Sequence, residues 1–115
     1  MKICIIGNGL TSLVLAKNLA KKKIFVDIIY ERHHKESPSA RTIGITNDNF
    51  QFLKLLFPKI KNISFSIKEI KVFNHNDLDN ALLNFSSKNM NQMYMFKYHE
   101  IYNQILKDIK NFKNL

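Results

Sequence analysis

The chain has 115 residues, of which 45% are hydrophobic and 23% are charged, so it forms at most one modest globular domain rather than a disordered or fibrous chain. Its formal net charge of +9 comes from lysines spread from Lys2 to Lys113, and Arg32 and Arg41 are its only arginines. Because the positive charge is scattered and poor in arginine, we expect no dedicated nucleic-acid partner.

The first predicted element is a strand at Lys2–Ile6, where an unbroken apolar run is typical of a parallel strand buried on both faces. The lone Cys4 lies in this run, so we expect a buried thiol and no disulfide framework. Gly7 and Gly9 then interrupt the sequence, which argues against a signal peptide. The apolar segment is also too short for a membrane span of ~20 residues.

A βαβ unit is predicted from the next two elements. Apolar residues recur at helical spacing over residues 10–22, and residues 24–30 are rich in β-branched and aromatic side chains. A right-handed crossover makes the two strands parallel and brings their carboxyl ends to one edge of the sheet. The fold class expected is therefore α/β, with a Rossmann-type βαβ unit at the start.

The rest of the chain predicts a helix, antiparallel strands and a final helix. Thr46 or Asn47 is expected to cap a helix that ends before Pro58. Alternation of apolar and polar residues predicts three strands, at residues 67–73, 82–85 and 93–98. Apolar residues then recur at helical spacing over residues 99–112.

A dinucleotide-binding motif follows the first strand. Gly7-Asn8-Gly9-Leu10-Thr11-Ser12 matches the pattern G-x-G-x-x-G except at its last position, where Ser12 replaces glycine. In that motif the first glycine permits a tight turn, the second lets the backbone approach a diphosphate, and the last small residue allows close packing. The amides of Leu10, Thr11 and Ser12 are expected to face the diphosphate at the start of the helix.

Glu31 completes the motif, because an acid after the second strand can accept hydrogen bonds from the ribose hydroxyls of adenosine. The structural alternative is a simple glycine turn beside a surface glutamate. The motif itself does not distinguish FAD from NAD, since both carry the same ADP half.

The residues after Glu31 resemble a known family. Glu31-Arg32, a polar loop and the stretch Ala40–Thr46 are similar to flavin monooxygenases of the para-hydroxybenzoate hydroxylase type, especially the aromatic hydroxylases of ubiquinone biosynthesis. The resemblance implies FAD as cofactor, NAD(P)H as co-substrate and a small aromatic quinone precursor as substrate. It places Arg32 near the adenosine and Arg41 opposite a phosphate or the flavin side, and it names no catalytic residue. It also implies that residues 1–62 begin the FAD-binding domain, that residues 63–98 begin a substrate-binding sheet, and that residues 99–115 return to the first domain.

Two later motifs of that family, a D-G stretch and a G-D stretch, do not occur in the sequence. We therefore expect an N-terminal portion or a truncated reading frame, inactive alone, and leave its oligomeric state open. We expect it to lie in the cytoplasm, with peripheral membrane association if the substrate is a quinone precursor. The alternative is a stand-alone nucleotide-binding module, which would bury its apolar faces where a portion of an enzyme would leave them exposed.

Several other residue groups are expected to have structural roles. The pair His33-His34 is interpreted as part of a solvated loop, and the segment from His75 to Asp79 as a hairpin turn, so no metal site is predicted. Met90, Met93 and Met95 are expected to pack in a core or an interface.

Overall fold

The computed structural model describes residues 1–31 and 41–111, and it begins with the predicted βαβ unit. Strand β1 (Lys2–Ile6) is followed by helix α1 (Leu10–Lys21) and strand β2 (Phe25–Ile29). The two strands pair in parallel, with Ile3 opposite Val26. The βαβ prediction is therefore confirmed, and the helix ends one residue earlier than its spacing indicated.

The second part of the chain is a mixed layer of helices and antiparallel strands. Its elements are β3 (Thr42–Thr46), α2 (Asn47–Leu56), a 3₁₀ helix (Pro58–Ile63), β4 (Phe65–Ile67), β5 (Glu69–Asn74), β6 (Asp77–Ser86), β7 (Met93–Lys97) and α3 (Tyr98–Lys110). β7 lies between β3 and β4 and is antiparallel to both, whereas β5 and β6 form a separate hairpin.

The hydrophobic core joins the two parts. Helix α3 contributes its predicted stripe of Ile101, Ile105 and Ile109, all of which are buried. Residues from α1, α2, the 3₁₀ helix and β7 complete the core: Leu13, Phe50, Leu56, Phe57, Ile60 and Phe96. Phe50 also stacks on Tyr94, with the ring centroids 3.7 Å apart. Burial of these side chains fixes α3 against α1.

The start and end of α2 follow the sequence signals, with one difference. Thr46 is the N-cap residue in an extended conformation, but its side chain makes no capping hydrogen bond. Asp48 lies in the first turn, where a carboxylate stabilises the helix dipole. Pro58 ends α2 as predicted and becomes the first residue of the 3₁₀ helix, where its missing N–H costs nothing.

The predicted burial of β1 on both faces is wrong. Helix α1 packs on the face of the sheet that contains the buried Val26, but the opposite face is exposed, and Ile6 is 85% exposed. Cys4 lies on this open face, so its thiol is exposed rather than buried. Phe25 and Ile29 are exposed beside it. An unbroken apolar run reports hydrophobicity on both faces, but it does not reveal whether another element covers each face.

Two strand predictions also needed correction. The stretch from Ile67 to Phe73 is not one strand, because Ile67 ends β4 and pairs with β7, whereas Ile70 belongs to the β5–β6 hairpin. Strand β3 was not predicted at all, since it has five residues and contains Gly44. Met93 and Met95 pack over Gly44, where an added Cβ would lie 3.0 Å from the Met93 Cε atom. Met90, by contrast, is exposed.

The β5–β6 connection is the predicted hairpin turn. The Asp77 carboxylate accepts hydrogen bonds from the amides of Asp79 at 3.2 Å and Asn80 at 3.1 Å. The Asn80 side chain donates to the same carboxylate, and these bonds hold the pKa of Asp77 below its ordinary value. Asp77 therefore serves as a turn residue.

None of the helices in the described ranges combines the length and the apolar character needed to cross a membrane.

Candidate functional site

The site begins at Gly7, directly after β1. Gly7 has φ of +109°, a backbone conformation that side-chain-bearing residues rarely adopt. Its amide donates a hydrogen bond of 2.8 Å to the carbonyl oxygen of Ile29, the last residue of β2. The turn is thus tied to the end of the neighbouring strand, as a tight strand-to-helix connection requires.

Gly9 is the N-cap residue of α1, and the space next to its Cα atom is open. Its φ and ψ of −68° and 170° are extended, and a Cβ added there would have no heavy atom within 4 Å. The helix has no capping side chain and no acidic residue in its first turn. A diphosphate oxygen can approach this backbone without displacing protein atoms.

The first helical turn supplies the donors for such an anion. The amide of Leu13 donates to the carbonyl of Gly9 at 3.1 Å, which is the first bond of the helix. The amides of Leu10, Thr11 and Ser12 precede it and, by helix geometry, have no acceptor within the helix. Together with the helix dipole, they make this end of α1 suitable for negative charge.

Ser12 fits the position where the motif usually has its third glycine. Its Oγ atom lies 3.6 Å from a Cβ built on Gly7, which is an ordinary van der Waals separation. Helix and turn therefore approach closely with the serine hydroxyl between them. Its role in cofactor binding remains a prediction.

Glu31 lies at the same sheet edge as the glycine turn. The parallel register sets Ile6 opposite Ile29, so the turn after β1 and Glu31 after β2 both follow the carboxyl ends of adjacent strands. The side chain of Glu31 is exposed. This is the arrangement in which an acid can meet the ribose of a nucleotide whose diphosphate lies over Gly9.

The structure describes one of the two arginines that were predicted as site residues, Arg41. Arg32 lies outside the described residues. Arg41 precedes β3, and its guanidinium carbon lies 5.0 Å from the centroid of the Tyr98 ring. The Arg41 carbonyl also accepts a hydrogen bond of 2.9 Å from the Tyr98 amide. Arg41 is thereby anchored where β7 passes into α3, as a cation stacked on an aromatic face.

Three tyrosines were not identified as site residues from the sequence. Tyr98 and Tyr102 stack on successive turns of α3, with ring centroids 6.1 Å apart. Burial raises the pKa of Tyr102, and the neighbouring Tyr98 and Tyr30 raise it further. Tyr30 immediately precedes Glu31, and its electrostatic effect on Tyr102 relates the end of β2 to α3. The spacing of four between Tyr98 and Tyr102 was the available signal.

An apolar cavity of about 550 Å³ adjoins the first turn of α1. Leu10, Thr11 and Val14 of α1 form one wall, and Ile43 and Ile45 of β3 contribute to another. The remaining lining residues are Leu15, Asn18, Asn49, Phe52, Leu53, Ile101 and Ile105. The glycine turn therefore borders a space that can accept an apolar group.

Within residues 1–31 and 41–111, no group of three or more His, Cys, Asp or Glu residues could hold a metal ion. His75 lies in the hairpin connection between β5 and β6. The pair His33-His34 falls outside the described residues.

Comparisons with known proteins support the fold. No protein-family model matches the chain, and no curated protein matches its sequence. Among solved structures, p-nitrophenol 4-monooxygenase PnpA from Pseudomonas putida DLL-E4 is 16% identical with a TM-score of 0.76, and the match covers 97% of this chain.

Two further solved structures have a similar fold to this chain. The tetrameric form of 2-methyl-3-hydroxypyridine-5-carboxylic acid oxygenase is 12% identical, with 97% of this chain covered and a TM-score of 0.75. CtdE, solved in complex with FAD, is 18% identical, with 97% covered and a TM-score of 0.65. The chain spans only 28–30% of the length of these three proteins. It therefore has the fold of one portion of such monooxygenases.

Proposed function

We propose that this chain binds the ADP half of FAD and forms the N-terminal part of a flavin monooxygenase. The observation that carries the proposal is the open space over Gly9, at an uncapped helix N-terminus that shares a sheet edge with Glu31. Diphosphate and ribose have matching partners in this arrangement. The fold similarity to several monooxygenases, one of them solved with FAD, favours FAD over NAD.

Each proposed contact follows from the chemistry of the residue. The amides of Leu10, Thr11 and Ser12 donate to diphosphate oxygens, while Gly7 holds the turn and Gly9 leaves room for the ligand. The carboxylate of Glu31 accepts hydrogen bonds from the ribose hydroxyls. Arg32 is proposed to lie near the adenosine, a role that rests on the sequence resemblance.

Arg41 is proposed to balance the charge of a phosphate. Its guanidinium stacks on Tyr98, which restricts its motion, and the planar fork of a guanidinium matches the geometry of a phosphate oxyanion. The aromatic surface of Tyr98 and Tyr102 beside it suits a flat ring, such as the adenine of the cofactor.

When bound, FAD supplies the redox chemistry, which is reduction by NAD(P)H followed by transfer of one oxygen atom from O₂ to an aromatic ring. The described residues of this chain contribute binding and orientation, and no described side chain is assigned an acid–base role. The apolar cavity beside α1 offers an apolar surface next to the cofactor site.

The substrate class and cellular setting are proposals from the sequence resemblance. A quinone precursor, and hence a step in ubiquinone biosynthesis, fits the similarity of residues 31–32 and 40–46 to that group of hydroxylases. We propose a cytoplasmic location with peripheral contact to a membrane where such precursors accumulate. The names of PnpA and the pyridine-carboxylate oxygenase likewise denote small aromatic substrates.

The open face of the β1–β2 sheet supports a role as part of a larger enzyme. Ile6, Phe25 and Ile29 present apolar surface there, which a folded enzyme normally covers. We propose that further polypeptide covers this face and supplies the rest of the catalytic site. The described chain alone is therefore expected to bind cofactor without turnover.

The alternative function is a stand-alone nucleotide-binding module without redox activity. The same glycine turn and Glu31 support it equally, since they contact only the ADP half. It predicts similar affinity for FAD, ADP and NAD, because nothing beyond the shared half is recognised. The monooxygenase proposal predicts extra affinity for FAD from contacts with its flavin end.

Titration distinguishes the two functions. FAD fluorescence and calorimetry would measure affinities for FAD, ADP and NAD, and a parallel assay would follow NAD(P)H oxidation. Under the monooxygenase proposal FAD binds most tightly, ADP competes with it, and NADH is not consumed. Tight NAD binding without FAD affinity would refute the proposal, and flavin-dependent NADH oxidation would refute the expected inactivity.

A further inference from the structure

Lysines gather at the end of α1 that lies away from the glycine turn. Lys21, Lys22 and Lys23 follow one another there, and all three are exposed. Lys59 and Lys61 are exposed on the 3₁₀ helix that follows α2. These two parts of the chain therefore supply five exposed ammonium groups.

Contacts bring the two groups of lysines together. The ammonium group of Lys21 donates a hydrogen bond of 3.3 Å to the carbonyl oxygen of Leu55, near the end of α2. Lys17, one turn before Lys21, lines the same cavity as Lys59, so the 3₁₀ helix lies beside the end of α1. Lys17 itself is buried, which lowers its pKa, and it does not belong to the exposed surface. We call this surface the basic end and define it by Lys21, Lys22, Lys23, Lys59 and Lys61.

The basic end has a large excess of positive charge. Within residues 1–31 and 41–111, no salt bridge is formed by its five lysines, whereas salt bridges are formed by Lys2, Lys71 and Lys97. The Asp108 carboxylate shares a cavity lining with Lys59, but it is a single negative charge beside several positive ones. An anionic partner is therefore the kind that this surface attracts.

An apolar side chain is exposed within the basic end. Leu55, whose carbonyl oxygen accepts the bond from Lys21, is 73% exposed, although the next residue, Leu56, is buried in the core. Lysines around an exposed apolar residue suit the boundary between lipid headgroups and acyl chains. Nucleic acid would match the lysines through its phosphates but would offer no apolar layer to the leucine.

We propose that the basic end docks on a bilayer that contains anionic lipids, with Leu55 inserted at the headgroup boundary. The negative potential of such a surface attracts each lysine that comes near it, and the contributions add. The inference rests on the proposed function, in which an apolar quinone precursor is met at a membrane. It names the protein surface and the lipid chemistry of that contact.

Docking at this end leaves the cofactor site accessible. The glycine turn precedes α1 and the basic end begins at its last residue, so the 12 residues of the helix separate them. At the rise of an α-helix this is a distance of about 18 Å. Binding to a membrane and binding to FAD can therefore be measured independently.

Sedimentation with lipid vesicles tests the proposal. The protein is expected to sediment with vesicles of mixed phosphatidylcholine and phosphatidylglycerol, and to stay in solution with vesicles of phosphatidylcholine alone. Added salt should weaken the binding, because it screens exposed charges. Failure to bind the mixed vesicles at low salt would overturn the proposal. Binding of an RNA oligonucleotide in its place would identify the surface as a nucleic-acid site instead.

Paired charge variants show whether the basic end itself makes the contact. The double variant Lys22→Gln with Lys59→Gln is expected to bind the mixed vesicles about 20-fold more weakly. The control, Lys68→Gln with Lys88→Gln, removes the same charge from exposed lysines on either side of the β5–β6 hairpin and should bind almost normally. Equal losses in the two double variants would assign the binding to the overall charge of +9 and overturn the proposal.

A matched pair of leucine variants tests the insertion of Leu55. Leu55 and Leu78, which lies on the β5–β6 hairpin, are each 73% exposed. Leu55→Ser should weaken vesicle binding about 5-fold, and Leu78→Ser should not. A loss in Leu78→Ser without one in Leu55→Ser would overturn the proposal.

FAD titration of the same samples separates this proposal from the proposed function. The lysine double variant should keep its FAD affinity while it loses vesicle binding. Vesicle binding by a chain without FAD affinity would support the docking surface and contradict the cofactor site. FAD binding without vesicle binding would overturn the docking surface alone.

Discussion

The amide of Gly7 donates a 2.8 Å hydrogen bond to the carbonyl oxygen of Ile29, and this bond joins the ends of the two parallel strands. It fixes the glycine turn beside the residues that follow β2. Gly9 and Glu31, which are far apart in sequence, consequently lie at one edge of the sheet. The proposed site depends on this link between β1 and β2.

Replacement of Gly7 by alanine is expected to destabilise the fold. The nearest atom to the new Cβ is at 3.6 Å, so the cost arises from φ of +109° rather than from a clash. Such strain costs about 1–3 kcal/mol, and thermal unfolding would measure it. Gly9→Ala is the comparison variant, because φ of −68° suits alanine and its only expected cost is the weaker N-cap preference of alanine. An unchanged melting temperature in Gly7→Ala would contradict the assigned turn geometry.

Glu31→Gln tests recognition of the ribose. The change keeps the size of the side chain but removes the charge that strengthens its hydrogen bonds, so FAD and ADP should each bind about 10-fold more weakly. Because Glu31 is exposed, the melting temperature should not change. Calorimetric titration gives the affinities, and Glu69→Gln on the β5–β6 hairpin serves as the control. Equal affinity in both variants would exclude Glu31 from the site.

Arg41→Met tests the proposed contact with phosphate. Methionine can retain contact with the Tyr98 ring but provides no N–H donors, so FAD affinity should fall about 10-fold. Binding should also become less sensitive to added salt, because one attraction between opposite charges is lost. Titrations at two salt concentrations would measure both effects. A variant that loses affinity without a change in salt dependence would argue for a purely structural role.

Lys17→Met is expected to make the stability of the chain less dependent on pH above neutrality. The lowered pKa of Lys17 means that the folded chain binds fewer protons than the unfolded chain as pH rises toward the ordinary lysine value near 10.5. Stability of the unchanged protein should therefore increase with pH in that range. Lys17→Met should lack this increase, because methionine does not titrate.

Thermal unfolding at pH 7 and pH 9.5 measures this trend. Lys22→Met is the control, since Lys22 is exposed and should show little change at either pH. The same rise in stability with pH in Lys17→Met and in the unchanged protein would contradict the assigned titration of Lys17.

The parts of the fold that local patterns determine were predictable from the sequence. The glycine turn and the isoleucine stripe of α3 follow from backbone freedom and helical period, and both are present. The exposure of Cys4 was not predictable in this way, because it depends on which element covers the second face of the sheet.

Long-range pairing accounts for most of the other differences. β3 is stabilised by β7, which is distant in sequence, and a five-residue stretch with a glycine gives little local signal for it. The same pairing brings Arg41 next to Tyr98, with Thr42 opposite Lys97. The contact between Arg41 and Tyr98 was therefore visible only after β3, β7 and α3 had been placed relative to one another.

The most direct test of the account compares FAD affinity in Gly9→Asp and Asn62→Asp, which carry the same charge change. Aspartate is a good N-cap, so Gly9→Asp should preserve or raise the melting temperature while its carboxylate occupies the diphosphate position. We expect Gly9→Asp to bind FAD at least ~100-fold more weakly, and Asn62→Asp to bind it normally. FAD binding that survives unchanged in Gly9→Asp would show that the glycine turn is not the cofactor site.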